Sequence, residues 1–221
     1  MYCIVFDMDD TLYPEQAFAL SAFQAVGEFA NKSWGMSGLA EQAAKLFHAG
    51  ERKNVFQQAF CGLGYGDLSE QQSNELLLVY RTHQPASLPW FPDARRAVEA
   101  LSEKFPLSLI SDGFLPTQRN KAKALGIERW ISNPIFTEEL GREHWKPSPK
   151  AFQLVMQRHP GLNYLYVADN PGKDFVAPNL LGWKTVQIQR PQGQYRHVSP
   201  AQGGEAQIKI NDLRKVAELI Y

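Results

Sequence analysis

Met1-Tyr2-Cys3-Ile4-Val5-Phe6-Asp7-Met8-Asp9-Asp10-Thr11 is the stretch on which the fold turns. Residues 3–6 form a short apolar run of β-branched and aromatic side chains, which predicts a buried strand. The run breaks off into Asp7, Asp9 and Asp10. Side chains two apart on an extended backbone share a face, so Asp7 and Asp9 are expected to converge. Two carboxylates at the rim of a buried strand repel each other and lose solvation. A bound cation or a shared proton has to offset that cost.

Working outward, further apolar segments at 107–110, 133–136, 165–167 and 185–188 also read as strands. Helical patterns separate them. Asp93 is placed to cap a helix running to about Lys104, and Ser148-Pro149 reads as another helix start. Gly126 and Gly182 read as helix stops. Alternating strands and helices predict an α/β fold, a Rossmann-like parallel sheet flanked by helices. Residues 13–90 break the rhythm. Their patterns are helical throughout (17–30, 39–49, 53–60 and 69–81) and contain no good strand. They are expected to form an inserted all-helical subdomain, with 1–12 and 91–221 forming the α/β core. Residues 191–204 lack periodicity and read as a loop before a short edge strand near Ile208 and a last helix.

The 221 residues suffice for one good-sized domain with an insertion. The 23 basic and 23 acidic side chains cancel, which gives no reason to expect nucleic acid or an anionic membrane as partner. Two cysteines make no secreted disulfide framework. No leader pattern and no long apolar run are present, so the expectation is a cytoplasmic protein with no membrane span.

The strands end alike. Asp7 follows the first, Ser111 and Asp112 the second, and Asp169 the Tyr-Leu-Tyr-Val-Ala run, with Asp174 five residues on. Ligands of open parallel sheets bind beyond the carboxyl ends of the strands. Lys146 stands just before the Ser148-Pro149 helix start, where backbone N–H groups favour anions. Carboxylates with water suit magnesium. An ammonium, a hydroxyl and exposed amides suit a phosphate.

Asp7-Met-Asp9-Asp10-Thr11, Ser111 after an apolar strand, Lys146-Pro147 and Asp169-x4-Asp174 resemble, in order, the four motifs of the haloacid dehalogenase-like (HAD) hydrolase superfamily. The insertion is similar to that superfamily's C1-type cap. The resemblance implies a sheet in the order 5-4-1-2-3. It implies Asp7 as a nucleophile forming an aspartyl-phosphate, and Asp9 as the acid that protonates the leaving oxygen and then the base that activates water. Ser111, Asp112 and Lys146 would bind the substrate's phosphoryl end, with Lys146 also shielding Asp7. Magnesium would be held by Asp7, the main-chain carbonyl of Asp9 and Asp169, supported by Asp174. Thr11 would hold the loop after the first strand. One departure is that Ala168 stands where the fourth motif usually has glycine.

The function so implied is a magnesium-dependent phosphatase acting on a small-molecule phosphate ester. A phosphotransferase or mutase of the same superfamily is the nearest alternative, and a phosphoryl-accepting signal module a more distant one. Asp9 argues against dehalogenases and phosphonatases, which lack it. The aromatic residues Phe18, Phe23, Phe29, Trp34 and Phe56 are expected mainly in the core of the helical insertion. Arg95-Arg96 and Lys121-Lys123 read as solvated helix faces.

Overall fold

The computed structural model describes residues 1–191 and 193–220. Two compact units result: Met1–Glu15 together with the chain from Ser87 onward, and Gln16–Ala86.

The first unit holds a parallel sheet of β1 (Tyr2–Phe6), β2 (Leu107–Ser111), β3 (Ile135–Phe136), β4 (Asn163–Ala168), β5 (Lys184–Ile188) and β6 (Ile208–Ile210). The spatial order is β3-β2-β1-β4-β5-β6, the implied 5-4-1-2-3 arrangement extended by β6 at the edge. β1 lies centrally, paired with β2 through Ile4–Leu107 and with β4 through Ile4–Leu165. Ile4, Val5 and Phe6 are all fully buried, because helices cover both faces of a parallel sheet and leave no strand face for water. Cys3 and Val5 join one core cluster with Phe152, Val155, Tyr166, Phe175 and Trp183. Phe152 meets Tyr166 and Trp183 edge-on, at centroid separations of 5.0 and 5.4 Å.

The second unit is helical. The initial helix α1 (Glu15–Trp34) enters it from the first unit, followed by α2 (Leu39–His48), α3 (Val55–Gly62) and α4 (Glu70–Thr82). Its core gathers Phe23, Val26, Leu39, Phe56, Phe60 and Leu76. Phe18, Phe23 and Phe56 are buried as expected, whereas Phe29 and Trp34 are half-buried. Ser69 and Gln72 close a capping box at the start of α4, which satisfies two backbone N–H groups that a helix end leaves open.

The first unit continues with α5 (Pro92–Ser102), α6 (Leu115–Leu125), α7 (Lys150–Arg158) and α8 (Val176–Leu180). Gly126 and Gly182, both at positive φ, stand where α6 and α8 stop, a conformation glycine adopts without a Cβ clash. Three expectations need correction. Asp93 does not cap a helix. Pro92 takes the first turn of α5, and the Asp93 carboxylate instead accepts two bonds from Arg190 and one from the Leu213 N–H. The helix expected from Ser148 begins at Lys150. The last helix is a 3-10 helix over Leu213–Leu219, capped by the Asp212 side chain. No helix among the described residues is long and apolar enough to cross a membrane.

Candidate active site

Every strand of the sheet is parallel, so β1, β2 and β4 deliver the residues that follow them to one edge. Asp7 follows β1, Ser111 closes β2 and Asp169 follows β4. Asp10 turns the chain sharply after β1 at φ 51°, a left-handed conformation that aspartate tolerates better than most residues. Its Oδ1 accepts the Glu15 N–H at 2.9 Å, which stabilises the turn leading into α1.

Lys146 is the hub. Its fully buried Nζ lies 2.5 Å from Asp7 Oδ1 and 2.7 Å from Asp174 Oδ1, and it donates to Tyr166 OH at 3.1 Å. Asp174 Oδ2 accepts the Asn170 N–H at 3.0 Å, so Asp174 fixes the loop after β4 as well as Lys146. Burial pushes Asp7 up to about 7, and Asp174 adds to that push while Lys146 opposes it. Asp169 is raised well above the usual carboxylate range by burial, then by Asp7 and Asp174. Burial alone would lower Lys146, but Asp174 and Asp7 outweigh it and hold the ammonium charged. Burial leads both carboxyl shifts, and the neighbouring carboxylates add to them while holding Lys146 up.

Asp112 is a junction between loops. Its Oδ1 accepts Thr137 Oγ1 at 2.8 Å and the Lys146 N–H at 3.2 Å, and its Oδ2 accepts Lys173 Nζ at 2.8 Å. Its side chain is thus engaged within the protein. Ser111 Oγ accepts a bond from Gln118 Nε2 at 2.7 Å. The Thr11 main-chain carbonyl accepts Arg190 Nη2 at 2.8 Å, while its buried hydroxyl meets no partner among the described residues. The loop is therefore held through backbone rather than through the threonine hydroxyl.

The Asp9 side chain is held by partners other than the Lys146 that pairs with Asp7. Its Oδ1 accepts Lys121 Nζ at 2.8 Å and Tyr13 OH at 2.5 Å, and its Oδ2 accepts Gln118 Nε2 at 2.8 Å. Burial would raise this carboxyl, but Lys121, Tyr13 and Gln118 prevail and keep it below the usual range. Lys121 is itself buried, which corrects the reading of Lys121 as part of a solvated face. Lys121, Gln118 and Lys173 were the functional neighbours missed in the sequence. Gln118 and Lys121 stand three apart and so share a helix face. That face also carries Ala122 and Leu125, both buried, and this pattern was the available signal.

The donor set fits a hard divalent cation. Asp7, Asp112, Asp169 and Asp174 face only Lys146 and Lys173 within the cluster, an excess of two negative charges. Asp169 Oδ2 is buried with no hydrogen-bond partner among the described residues, an expensive state for a carboxylate unless a cation or a proton meets it. No group of three or more acidic, histidine or cysteine side chains among the described residues is placed to hold a metal ion by itself. Magnesium needs none, since it keeps several waters and takes one or two carboxylates.

The family model described as haloacid dehalogenase-like hydrolase matches residues 1–177. The chain is 27% identical over 208 residues to a glyceraldehyde 3-phosphate phosphatase of Methanopyrus kandleri, covering 89% of this chain and 87% of that protein. It is 27% identical over 161 residues to a protein of the same name from Methanothermobacter thermautotrophicus, covering 70% of each. Among solved structures, the HAD-hydrolase YfnB of Bacillus subtilis, bound to magnesium, superposes with a TM-score of 0.69 at 17% identity, covering 99% of this chain and 98% of that one. With four motifs at one sheet edge and a family model spanning most of its length, this chain belongs to the haloacid dehalogenase-like hydrolases.

Proposed function

We propose that this hydrolase is a magnesium-dependent phosphatase that releases phosphate from a small phosphorylated metabolite through an aspartyl-phosphate on Asp7. The observation that carries the reading is the pairing of Lys146 with Asp7 beside the partnerless Asp169 Oδ2. It combines a carboxylate nucleophile, a cation that draws in an anionic ester, and an acidic seat for a metal.

In this reading an Asp7 oxygen attacks phosphorus and the bond from phosphorus to the ester oxygen breaks. Asp9, held ionised in the free site, takes up a proton as the phosphoryl anion arrives and gives it to the departing oxygen. It then takes one from the water that attacks the phospho-aspartate, so phosphate leaves and Asp7 is restored. Lys146 and Ser111 bind phosphoryl oxygens. Asp112 supports them from behind, holding the Lys146 N–H and Lys173. Asp7, Asp169 and the Asp9 carbonyl would hold magnesium, which supplies charge neutralisation for the incoming and developing phosphoryl anion. Asp174 orients that group through Lys146 and Asn170. The helical unit Gln16–Ala86 is assigned the role of the family's C1-type cap. The phosphatase names of the two relatives support a three-carbon phosphate ester as the first substrate to try.

The test is phosphate release from a panel of metabolite esters that includes glyceraldehyde 3-phosphate, with magnesium or with a chelator. The reading predicts release that needs magnesium. Absence of release across the panel would overturn it.

A further inference from the structure

Asp9 is gripped from a helix that none of the four motifs includes. Lys121 and Gln118 lie on α6, more than a hundred residues away in sequence, yet they reach opposite oxygens of the Asp9 carboxylate, each at 2.8 Å. Both are almost fully buried, at 4% and 1% exposure. Burying an ammonium and an amide is costly unless each finds partners, and Asp9 is a partner of both. Gln118 Nε2 also lies 2.7 Å from Ser111 Oγ and 2.8 Å from the Asp112 carbonyl. Lys121 Nζ also lies 3.6 Å from Glu15 Oε1. Gly113 makes the arrangement possible. A Cβ there would lie 3.0 Å from Gln118 Cδ and 3.1 Å from its Cγ, and the backbone sits at φ 138°.

We propose that Lys121 and Gln118 form a two-pronged clamp that fixes the rotation of the Asp9 carboxylate and so sets the line along which it passes protons. The inference rests on the phosphatase reading above and deepens it. A carboxylate offers about four acceptor directions. Lys121 and Tyr13 take those on Oδ1 and Gln118 takes one on Oδ2, which leaves a direction on Oδ2 for the proton in transit. Proton transfer needs hydrogen-bond reach and alignment, and a carboxylate free to rotate would spend much of its time misaligned. Lys121 and Gln118 touch neither phosphorus nor the departing oxygen in this account; they are positioning residues. Through Gln118, the same amide ties the proton-passing carboxylate to Ser111 at the end of β2, so the two keep a constant spacing.

Lys121→Met and Gln118→Leu test the clamp, each assayed with magnesium on two esters. One is an alkyl phosphate, whose departing oxygen needs a proton. The other is 4-nitrophenyl phosphate, whose departing oxygen does not. The clamp predicts that kcat on the alkyl ester falls by roughly 10²–10⁴-fold, the usual range of general acid–base assistance, while KM stays nearly constant. It further predicts a burst of nitrophenol from the aryl ester, because the covalent intermediate forms readily and then waits for its activated water. A merely structural role would lower both esters in proportion to the folded fraction and produce no burst. Losses on both esters without a burst, or wild-type rates in both variants, would overturn the inference. If one variant fails to fold by circular dichroism, the other carries the same comparison. Wild-type protein inactive on both esters would instead sink the phosphatase reading, and this inference with it.

Discussion

Lys146 and Asp7 stand 139 residues apart in sequence and 2.5 Å apart in space. The contact spans two parallel strands' worth of topology: Asp7 follows β1, and Lys146 lies in the connection from β3 to α7. A second carboxylate, Asp174, lies 2.7 Å from the same ammonium. The site is therefore organised around one buried cation that two acids share.

Lys146→Met removes the only fully buried ammonium contact of both Asp7 and Asp174 among the described residues. Breaking a buried pair from one side costs about 3–5 kcal/mol. The loss is expected to be greater at pH 8 than at pH 5, because at the lower pH the abandoned Asp7 carboxyl, already pushed up by burial, takes up a proton and escapes the penalty. Urea unfolding at the two pH values, with a chelator present, checks this. An equal loss at both would contradict it.

Asp7→Asn is expected to fold and to be inactive. Its stability carries the sign of the Asp7 shift. Burial pushes the folded-state value from 3.8 up to about 7, so between those values the folded chain binds a proton that the unfolded chain releases. Stability of the metal-free protein due to this group therefore falls as pH rises from about 4 to about 7. Asparagine removes the effect, so the variant should gain on the wild type across that window. Asp9 acts the other way. Held low by Lys121, Tyr13 and Gln118 against burial, it contributes stability above about pH 4 that is lost as the solution is acidified further. Thermal melts of wild type and Asp7→Asn from pH 4 to pH 8 measure the difference, and a constant offset would refute the assignment.

Phe152→Ala opens a void in the core beneath β4. Phe152 is fully buried and meets the rings of Tyr166 and Trp183. A loss of about 3–5 kcal/mol is expected in denaturant titration. Because Tyr166 OH is a partner of Lys146, part of the damage should appear as reduced turnover in the protein that remains folded.

Ser69→Ala tests the helical unit by itself. The serine hydroxyl accepts the Gln72 N–H and Gln72 answers through its side chain to the Ser69 N–H. Loss of such a cap costs about 1 kcal/mol. Hydrogen exchange should quicken over the first turn of α4, and unchanged protection there would count against the cap.

Much of this was legible in the sequence because strand, turn and acid occur together. An apolar run ending in Asp7 and Asp9 marks a buried strand and its functional edge in one stretch. The same holds for Ser111 after β2 and Asp169 after β4. Lys121 was misread because a lysine on a helix is solvated by default, and only a contact across the fold reveals that Asp9 neutralises it. Asp93 was misread for the converse reason. It stands where a cap belongs, but Pro92 already occupies the first turn and the distant Arg190 claims the carboxylate. Local signals find the strand ends. A buried helix face such as that of Gln118, Lys121, Ala122 and Leu125 marks a buried charge locally, but which residue pairs with it is set by contacts a hundred residues apart.

The central claim, that Asp7 attacks phosphorus, is tested most directly by stopping the enzyme in acid during turnover and locating any phosphoryl group by peptide mass spectrometry. The account predicts a phosphorylated peptide containing Asp7 in the wild type and none in Asp7→Asn. Turnover without that adduct, together with appreciable activity in Asp7→Asn, would contradict it.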